Sequence, residues 1–502
     1  MKEVHSLREM IARQHGGQAP IGTKPEFDNG KQSLSAFFIY HWSWLGLAAF
    51  LFVTLSVINA SVTTVLHVLL MVASLINVKW ALKALFLLIM IKFFNPGLLK
   101  YSGDAGLLFW VVIFSASGRI ILSNLMVAFR DWWILILFSF VVFLSSLITS
   151  RLPIISSFKV IVFLLASLSC LTGFAVLNDE DKQKFASFCL TFIAVLVLVS
   201  LPTFFVQGVG FLRNGRGFQG LLNHPQVFGV FMAPLMAFLT ANLLKVEIKR
   251  IYLLLPILGG LGLIMVTTQA RTSLLSVLLA LTSVYLVNLN FKVREKYKMA
   301  MGRTLGIGIA IIFLLGVFLQ FNPDVAENVK NYALKNRGDE IGEAFYRSRG
   351  AGVEHHFNNF LESPLIGNGF GVFAKPHPKE EIIYVQGIPI SASTEKGIVL
   401  FAVLEETGLI GFFLFSWFII KMGKRAVASQ DARFLAMFFS CLYVNFGEAV
   451  FFSPGGIGLY FWVLLGVSVG MSNRNAGVSN NANGLVNYKI GNHNDRVLAN
   501  IL

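Results

Sequence analysis

Residues 213–231 read RNGRGFQGLLNHPQVFGVF, with arginines at 213 and 216, glycines at 215, 217 and 220, and an Asn-His-Pro, all set between two apolar runs. The runs on either side, 185–207 and 225–244, are close to the roughly 20 residues that carry a helix across a bilayer. The polar stretch is therefore a connection between two membrane spans. A connection alone needs none of these residues.

Working outward, similar apolar runs recur from residue 37 to residue 472. The chain is 55% hydrophobic and 13% charged over 502 residues, with a mean hydropathy of +0.70. A soluble domain carries about 25% charged residues. In hydrocarbon the backbone must hydrogen-bond to itself, which favours helical spans. The sequence predicts an all-α polytopic membrane protein with spans near 37–60, 62–78, 84–99, 105–124, 132–149, 153–177, 185–207, 225–244, 251–268, 272–290, 304–321, 398–420, 434–452 and 456–472. About twelve to fourteen is the expected count, because Arg119 and Arg130 fall near span ends.

The net charge of +15 is concentrated in short segments at 245–250, 292–303 and 421–425. Basic residues between spans mark cytoplasmic segments, so the excess charge reports topology and not nucleic-acid binding. An even number of spans puts both termini in the cytoplasm. The chain then divides into a cytoplasmic segment 1–33, helices over 34–321, an extracytoplasmic loop 322–397, helices over 398–472, and a cytoplasmic tail 473–502. The tail is rich in Asn and Gly and is expected to be disordered. Residues 1–33 lack the apolar core of a cleavable signal, which makes the first span an uncleaved anchor. Cys170, Cys189 and Cys441 fall within spans and read as small core residues. The halves show no repeat or inverted symmetry, which weighs against a secondary transporter.

The loop 322–397 carries 8 Lys and Arg against 10 Asp and Glu, so it is no polybasic lipid anchor. A helix is predicted over 339–362, with Phe345, His356, Phe357 and Phe360 on its apolar side. Ser363-Pro364 ends it, and Gly367, Gly369 and Gly371 mark an irregular turn.

Topology places 213–226 outside the cytoplasm, against the usual bias for arginine. Snorkelling to lipid headgroups is the plain alternative for either arginine alone. Thr267-Thr-Gln-Ala-Arg271-Thr-Ser273 shares that side, at a tight junction that holds Arg271 near the membrane surface and facing protein. Its plain alternative is an ion pair with Glu405, Glu406 or Glu448. The loop adds Arg347 and Arg349, and Glu395-Lys396 stands where the chain returns to the membrane. Three hairpins thus bring arginines to one face. Guanidinium groups bind phosphate oxygens through two parallel hydrogen bonds and stay charged. The glycines let backbone approach such a ligand. Asn223, His224, Gln226 and Gln269 stand beside the arginines as candidate substrate-binding groups. A lipid-linked diphosphate at the outer surface suits this set.

These motifs resemble those of the O-antigen ligases and Wzy-type polysaccharide polymerases. Arg-Gly-x-x-Gly followed by Asn-x-x-Gln falls on 216–226, and Thr-x-x-Arg-Thr-Ser on 268–273. The third signature runs from Arg349 through Pro364-Leu-Ile-Gly-Asn-Gly369 to Leu404-Glu-Glu-Thr-Gly-Leu-Ile-Gly411. The resemblance covers about 205–425. It implies a metal-independent glycosyltransferase of the integral-membrane GT-C type, without a cofactor, in the bacterial inner membrane. The enzyme would move a glycan from an undecaprenyl diphosphate carrier to a sugar hydroxyl. It also implies donor-diphosphate roles for Arg216, Arg271 and Arg349, with Arg213 and Arg347 as neighbours.

The ligases of that family place a histidine near the end of the loop as base. Here Thr394-Glu395-Lys396-Gly397 stands there, so Glu395 is the expected base, with a solvated Glu395–Lys396 pair as the plain alternative. His355, His356 and His377 are alternative bases, His356 being on the apolar side of the loop helix. Losing the ligase histidine tilts the expectation to a polymerase of O-antigen, capsule or exopolysaccharide repeat units, acting on the growing glycan. The competing expectations are a ligase acting on lipid A-core, a flippase or transporter of lipid-linked sugars, and a scaffold of an export complex. A chain-length regulator is a candidate partner for the terminal segments.

Overall fold

The computed structural model describes residues 43–95, 106–211, 217–242, 248–290, 350–376, 380, 382–385, 388–392, 397–428 and 431–471, together with Glu327 and Tyr346. The protein has an all-α fold of long apolar helices, that of a polytopic membrane protein. In chain order these are α1 Trp44–Leu55, α2 Ala60–Ile76, α3 Val78–Phe93, α4 Leu107–Leu122, α5 Leu125–Thr149, α6 Pro153–Val176 and α7 Asp179–Ser200. They continue with α8 Pro225–Asn242, α9 Ile248–Thr267, α10 Arg271–Asn290, α11 Ala351–Glu362, α12 Val399–Ala428, α13 Ala432–Val444 and α14 Gly458–Gly470. Each expected span holds a helix except 304–321, which lies outside the described residues, as do 1–33 and 473–502. Five helices among the described residues are long and apolar enough to cross a membrane: α5, α6, α7 with its 3-10 extension to Phe205, α8 and α12.

Lipid supplies no hydrophobic drive between helices, so packing and interhelical hydrogen bonds hold the bundle. Ser74 meets Ser115 at 2.9 Å, Ser117 meets Ser169 at 3.1 Å, and Ser283 meets Tyr443 at 2.5 Å. Such bonds contribute about 0.6 kcal/mol each. Beneath the loop, Phe138, Phe163, Phe370, Phe415 and Phe452 form one buried aromatic cluster. Phe370 belongs to the loop, Phe138, Phe163 and Phe415 to α5, α6 and α12, and Phe452 to the turn before α14, so the cluster fastens the loop to the bundle. Aromatic pairs in favourable orientations add about 0.5–1.5 kcal/mol each beyond area burial. The three cysteines are free and buried.

Two ends of the bundle differ in kind. At one end Lys79 pairs with Asp181 at 2.6 Å, Arg425 approaches Asp131 at 3.7 Å, and Arg433 pairs with Asp431 at 2.8 Å. At the other, the chain folds back over the helix ends. Phe94 bridges Leu222, Phe218 N–H donates to Thr267 O at 2.9 Å, and Val399 N–H donates to Asn445 O at 3.1 Å.

The loop holds α11 and an antiparallel hairpin, β1 Ile382–Val385 with β2 Ile388–Ala392, which the helical reading of the sequence did not anticipate. Two β-branched runs around Gln386-Gly387 carry a readable hairpin signal. Phe357, expected on the apolar side of α11, is 46% exposed, while Asn359 takes an inward position at 2%. An inward Asn there has a partner in the bundle, the Glu405 carboxylate.

Candidate functional site

α11 ends at Glu362, because Pro364 lacks an N–H and biases Ser363 out of helical geometry. The segment that follows, 364–371, lies along a break in α12. At Gly408 the helix departs to φ 63, ψ −170. An unbroken helix bonds Leu409 N–H to Glu405 O and Ile410 N–H to Glu406 O. Here the loop takes all four groups. Leu409 N–H donates to Pro364 O at 2.8 Å and Ile410 N–H to Leu365 O at 3.1 Å. Asn368 N–H donates to Glu405 O at 2.8 Å, and Gly369 N–H to Glu406 O at 3.2 Å. Two intrahelical bonds are exchanged for four between loop and helix, so the break leaves none of these groups orphaned.

Glycine is required on both sides of this junction. Gly367 has φ +75, and a Cβ there meets the Glu406 carbonyl carbon at 2.4 Å. Gly408 has φ +63, and a Cβ there meets the Leu365 carbonyl carbon at the same distance.

The break delivers two buried carboxylates to the loop. Glu405 is fully buried and Glu406 is 3% exposed. A buried carboxylate is costly unless hydrogen-bonded and paired. Glu405 Oε2 lies 2.5 Å from His356 Nδ1, and its Oε1 accepts from Asn359 Nδ2 at 2.9 Å. His356 and Asn359 lie three residues apart on one face of α11 and are 7% and 2% exposed. Asn368 Nδ2 donates to Asn359 O at 2.6 Å and fixes that face. Glu406 Oε2 accepts from Gly371 N–H at 2.9 Å, while Lys159 Nζ donates to Gly371 O. Phe370 N–H donates to Ser146 Oγ at 3.1 Å, and Arg151 pairs with Glu380. In the neutral ring, a carboxylate at Nδ1 holds that nitrogen as the donor and leaves the lone pair on Nε2, the arrangement of an oriented general base.

The second polar region surrounds a cavity of about 280 Å³, whose polar lining is Asn223, His224, Gln226 and Glu448. Asn223 is fixed by its N–H to Phe93 O at 3.0 Å, and Asn95 N–H bonds to Leu221 O at 2.9 Å. His224 Nδ1 accepts from Gln226 N–H at 3.1 Å at the start of α8, so Nδ1 is unprotonated. Asn223 Oδ1 is buried and accepts no hydrogen bond. On the opposite wall, Asn445 is fully buried and its Oδ1 accepts from Val450 N–H at 3.0 Å and Phe451 N–H at 2.9 Å. That bend carries Glu448.

The 267–273 junction adjoins both walls. Gly229 of α8 faces Ala270 and Thr268, and Gly447 faces Thr272. Gln269 has a left-handed backbone, φ 59, the one non-glycine case among the described residues. That geometry costs about 1–2 kcal/mol for an L-residue. It turns the chain from α9 into α10 within three residues, so Arg271 begins α10 half-buried at the site end.

Of the sequence-predicted residues, His356, Asn223, His224, Gln226, Gln269 and Arg271 all lie at this end of the bundle. Arg213, Arg216, Arg347, Arg349 and Glu395 lie outside the described residues. Three contributors went unassigned from the sequence: Asn359, the partnership of Glu405 with His356, and Glu448 as a cavity wall. Only the Asn359 spacing, three residues after His356, offered a signal.

No family model matches the chain, and no curated protein matches it.

Proposed function

We propose that the protein is a glycosyltransferase that polymerises repeat units of a bacterial surface polysaccharide, using an undecaprenyl diphosphate-linked glycan as donor at the extracytoplasmic face of the inner membrane. The observation that carries this reading is the buried His356–Glu405 pair, formed where 364–371 docks onto the break at Gly408. The two stretches of the third signature, separate in sequence, are the two halves of that joint.

In the proposed reaction an acceptor sugar hydroxyl gives its proton to His356 Nε2. The hydroxyl oxygen bonds to the anomeric carbon as the anomeric C–O bond to phosphate breaks. The diphosphate leaves with the electron pair, still on its lipid. Glu405 holds the imidazole in the required tautomer and stabilises the imidazolium that forms. Arg271 and the arginines at 213, 216, 347 and 349 are assigned to the departing charge. The cations at 79, 119, 130, 184 and 425 occupy the opposite end of the bundle. That supports an outward-facing site under the positive-inside bias.

The glycan ladder of a deletion strain tests the reaction class. Loss of a polymerase leaves single repeat units on the final acceptor. Bare acceptor indicates a ligase, and repeat units trapped in the cytoplasm indicate a flippase. Either of those two outcomes overturns the proposal.

A further inference from the structure

We infer that the seam between α5 and α12 binds the headgroup of one anionic phospholipid through Arg130, Lys421 and Arg425. This site lies at the end of the bundle away from the loop and is separate from the reaction proposed there.

The seam is built on aromatic rings. α5 departs from helical geometry at Trp132 (φ −122, ψ 21), where two consecutive tryptophans take opposite environments. Trp132 is buried, meets Phe418 of α12 edge-to-face, and has the Arg425 guanidinium 4.4 Å from its ring centre. Trp133 is exposed and meets the exposed Trp417 edge-to-face at 5.3 Å. Lys421 Nζ lies 5.7 Å from the Trp133 ring centre. Spacings of four put Trp417, Lys421 and Arg425 on one face of α12. Each of the two α12 cations is thus paired with a ring of α5.

Charge names the occupant. Arg130 Nε donates to Asp131 Oδ1 at 3.0 Å, and Arg425 Nη2 lies 3.7 Å from the same oxygen. Lys421 interacts electrostatically with Arg425 and Asp131, yet has no carboxylate within ion-pair distance among the described residues. Three cations therefore share one carboxylate, a surplus of two positive charges, and the exposed Lys424 stands on the same turn as Arg425. Like charges held together at the edge of a low-dielectric region repel, and a phosphate among them relieves that repulsion. Arg130 has a 74% exposed side chain and bonds Asp131 through Nε, which leaves its two terminal nitrogens for phosphate oxygens. The positive-inside bias accounts for cations at this end, but not for three of them around one carboxylate beside a tryptophan pair.

Below the charges the seam turns apolar. Leu137 and Phe140 continue the Trp133 stripe of α5, and Phe413 continues the Trp417 stripe of α12, all exposed. Acyl chains lie along such stripes while tryptophan rings sit at headgroup level. Basic pockets between membrane helices on the cytoplasmic side take anionic headgroups in this way. A free phosphate would use the cations and leave the apolar stripes without a role, so the lipid is the better fit.

The experiment titrates the purified full-length protein, in a mild detergent, with phosphatidylglycerol or with phosphatidylcholine of the same chains. Native mass spectrometry reads the bound lipid. Wild type is expected to hold one phosphatidylglycerol about tenfold or more tighter than phosphatidylcholine, because each cation near an anionic group contributes roughly fivefold. Arg130→Gln, an exposed change that leaves the fold intact, should weaken phosphatidylglycerol roughly fivefold, and Arg130→Gln with Lys421→Gln about 25-fold. Phosphatidylcholine affinity should stay the same in both. Lys421→Arg keeps the charge and should bind as wild type does. Lys184→Gln removes one charge at the same end of the bundle, on α7, and should change nothing. Equal affinity for the two lipids, or wild-type binding by the double variant, overturns the inference. So does a loss in Lys184→Gln as large as in Arg130→Gln, which marks diffuse surface charge. Displacement of the lipid by inorganic phosphate at constant ionic strength assigns the cations to a free anion and also overturns it.

Discussion

His356 Nδ1 lies 2.5 Å from Glu405 Oε2 across a sequence separation of 49 residues, joining the loop helix to the broken membrane helix. Glu405 is fully buried and receives Asn359 on its other oxygen, so two side chains of α11 hold its carboxylate. Glu405→Gln preserves shape and removes the charge that orients the imidazole. It is expected to lower turnover by about 10²-fold or more, the scale of general-base catalysis, with the KM for donor little changed. A variant that accumulates normally and turns over at the wild-type rate would reduce Glu405 to a fastening of the loop.

The joint itself predicts two intolerant glycines. Gly367→Ala and Gly408→Ala each place a Cβ 2.4 Å from a carbonyl carbon of the opposing segment, in a left-handed backbone that alone costs about 1–2 kcal/mol. Each variant should show faster proteolysis within 350–376 and a lower Tm. Ala at Gly352, whose added Cβ meets nothing within 4 Å, is the matched control. Equal protection in all three variants contradicts the docked loop.

Arg271 is assigned to the leaving diphosphate. Arg271→Lys keeps the charge and loses the planar fork, so activity should fall well below wild type at a normal protein level. Full activity, or failure to accumulate, instead marks Arg271 as a structural residue of the α9–α10 junction.

Orientation is tested by labelling. The side chains of Lys375 and Lys184 are 59% and 69% exposed and belong to the loop and to the opposite end of the bundle. The native cysteines are buried and give little background. Lys375→Cys should react with an impermeant maleimide in intact spheroplasts, and Lys184→Cys only after lysis. The reverse pattern puts the site in the cytoplasm and removes the proposed reaction. Gln219 lies within the segment expected outside but is 1% exposed, and so cannot serve as a reporter.

The spans were legible because hydrocarbon leaves the backbone one economical option, and apolar run length reports it directly. Helix ends matched closely at Pro153, Pro225 and Arg271, where Pro or a tight turn fixes the boundary. The loop was less legible. Its turn glycines were visible, yet their purpose depends on a helix break at Gly408, 41 residues beyond Gly367. No local periodicity encodes that pairing. The same holds for His356: alone it reads as an ordinary structural histidine, and the buried Glu405 opposite it gives the residue a role. Glu395, favoured as base from position in the sequence, lies outside the described residues, so the two candidates separate only in the assay.

The most direct measurement is polymer formation by the purified protein from lipid-linked repeat units, with donor affinity determined for each variant alongside. Wild type is predicted to produce a ladder of elongated glycan. His356→Gln is predicted to lose about 10²- to 10⁴-fold in rate, the contribution of a general base, while binding donor within a few-fold of wild type. Glu395→Gln is predicted to retain most elongation. The account is contradicted if wild type makes no polymer, or if His356→Gln elongates normally while Glu395→Gln does not.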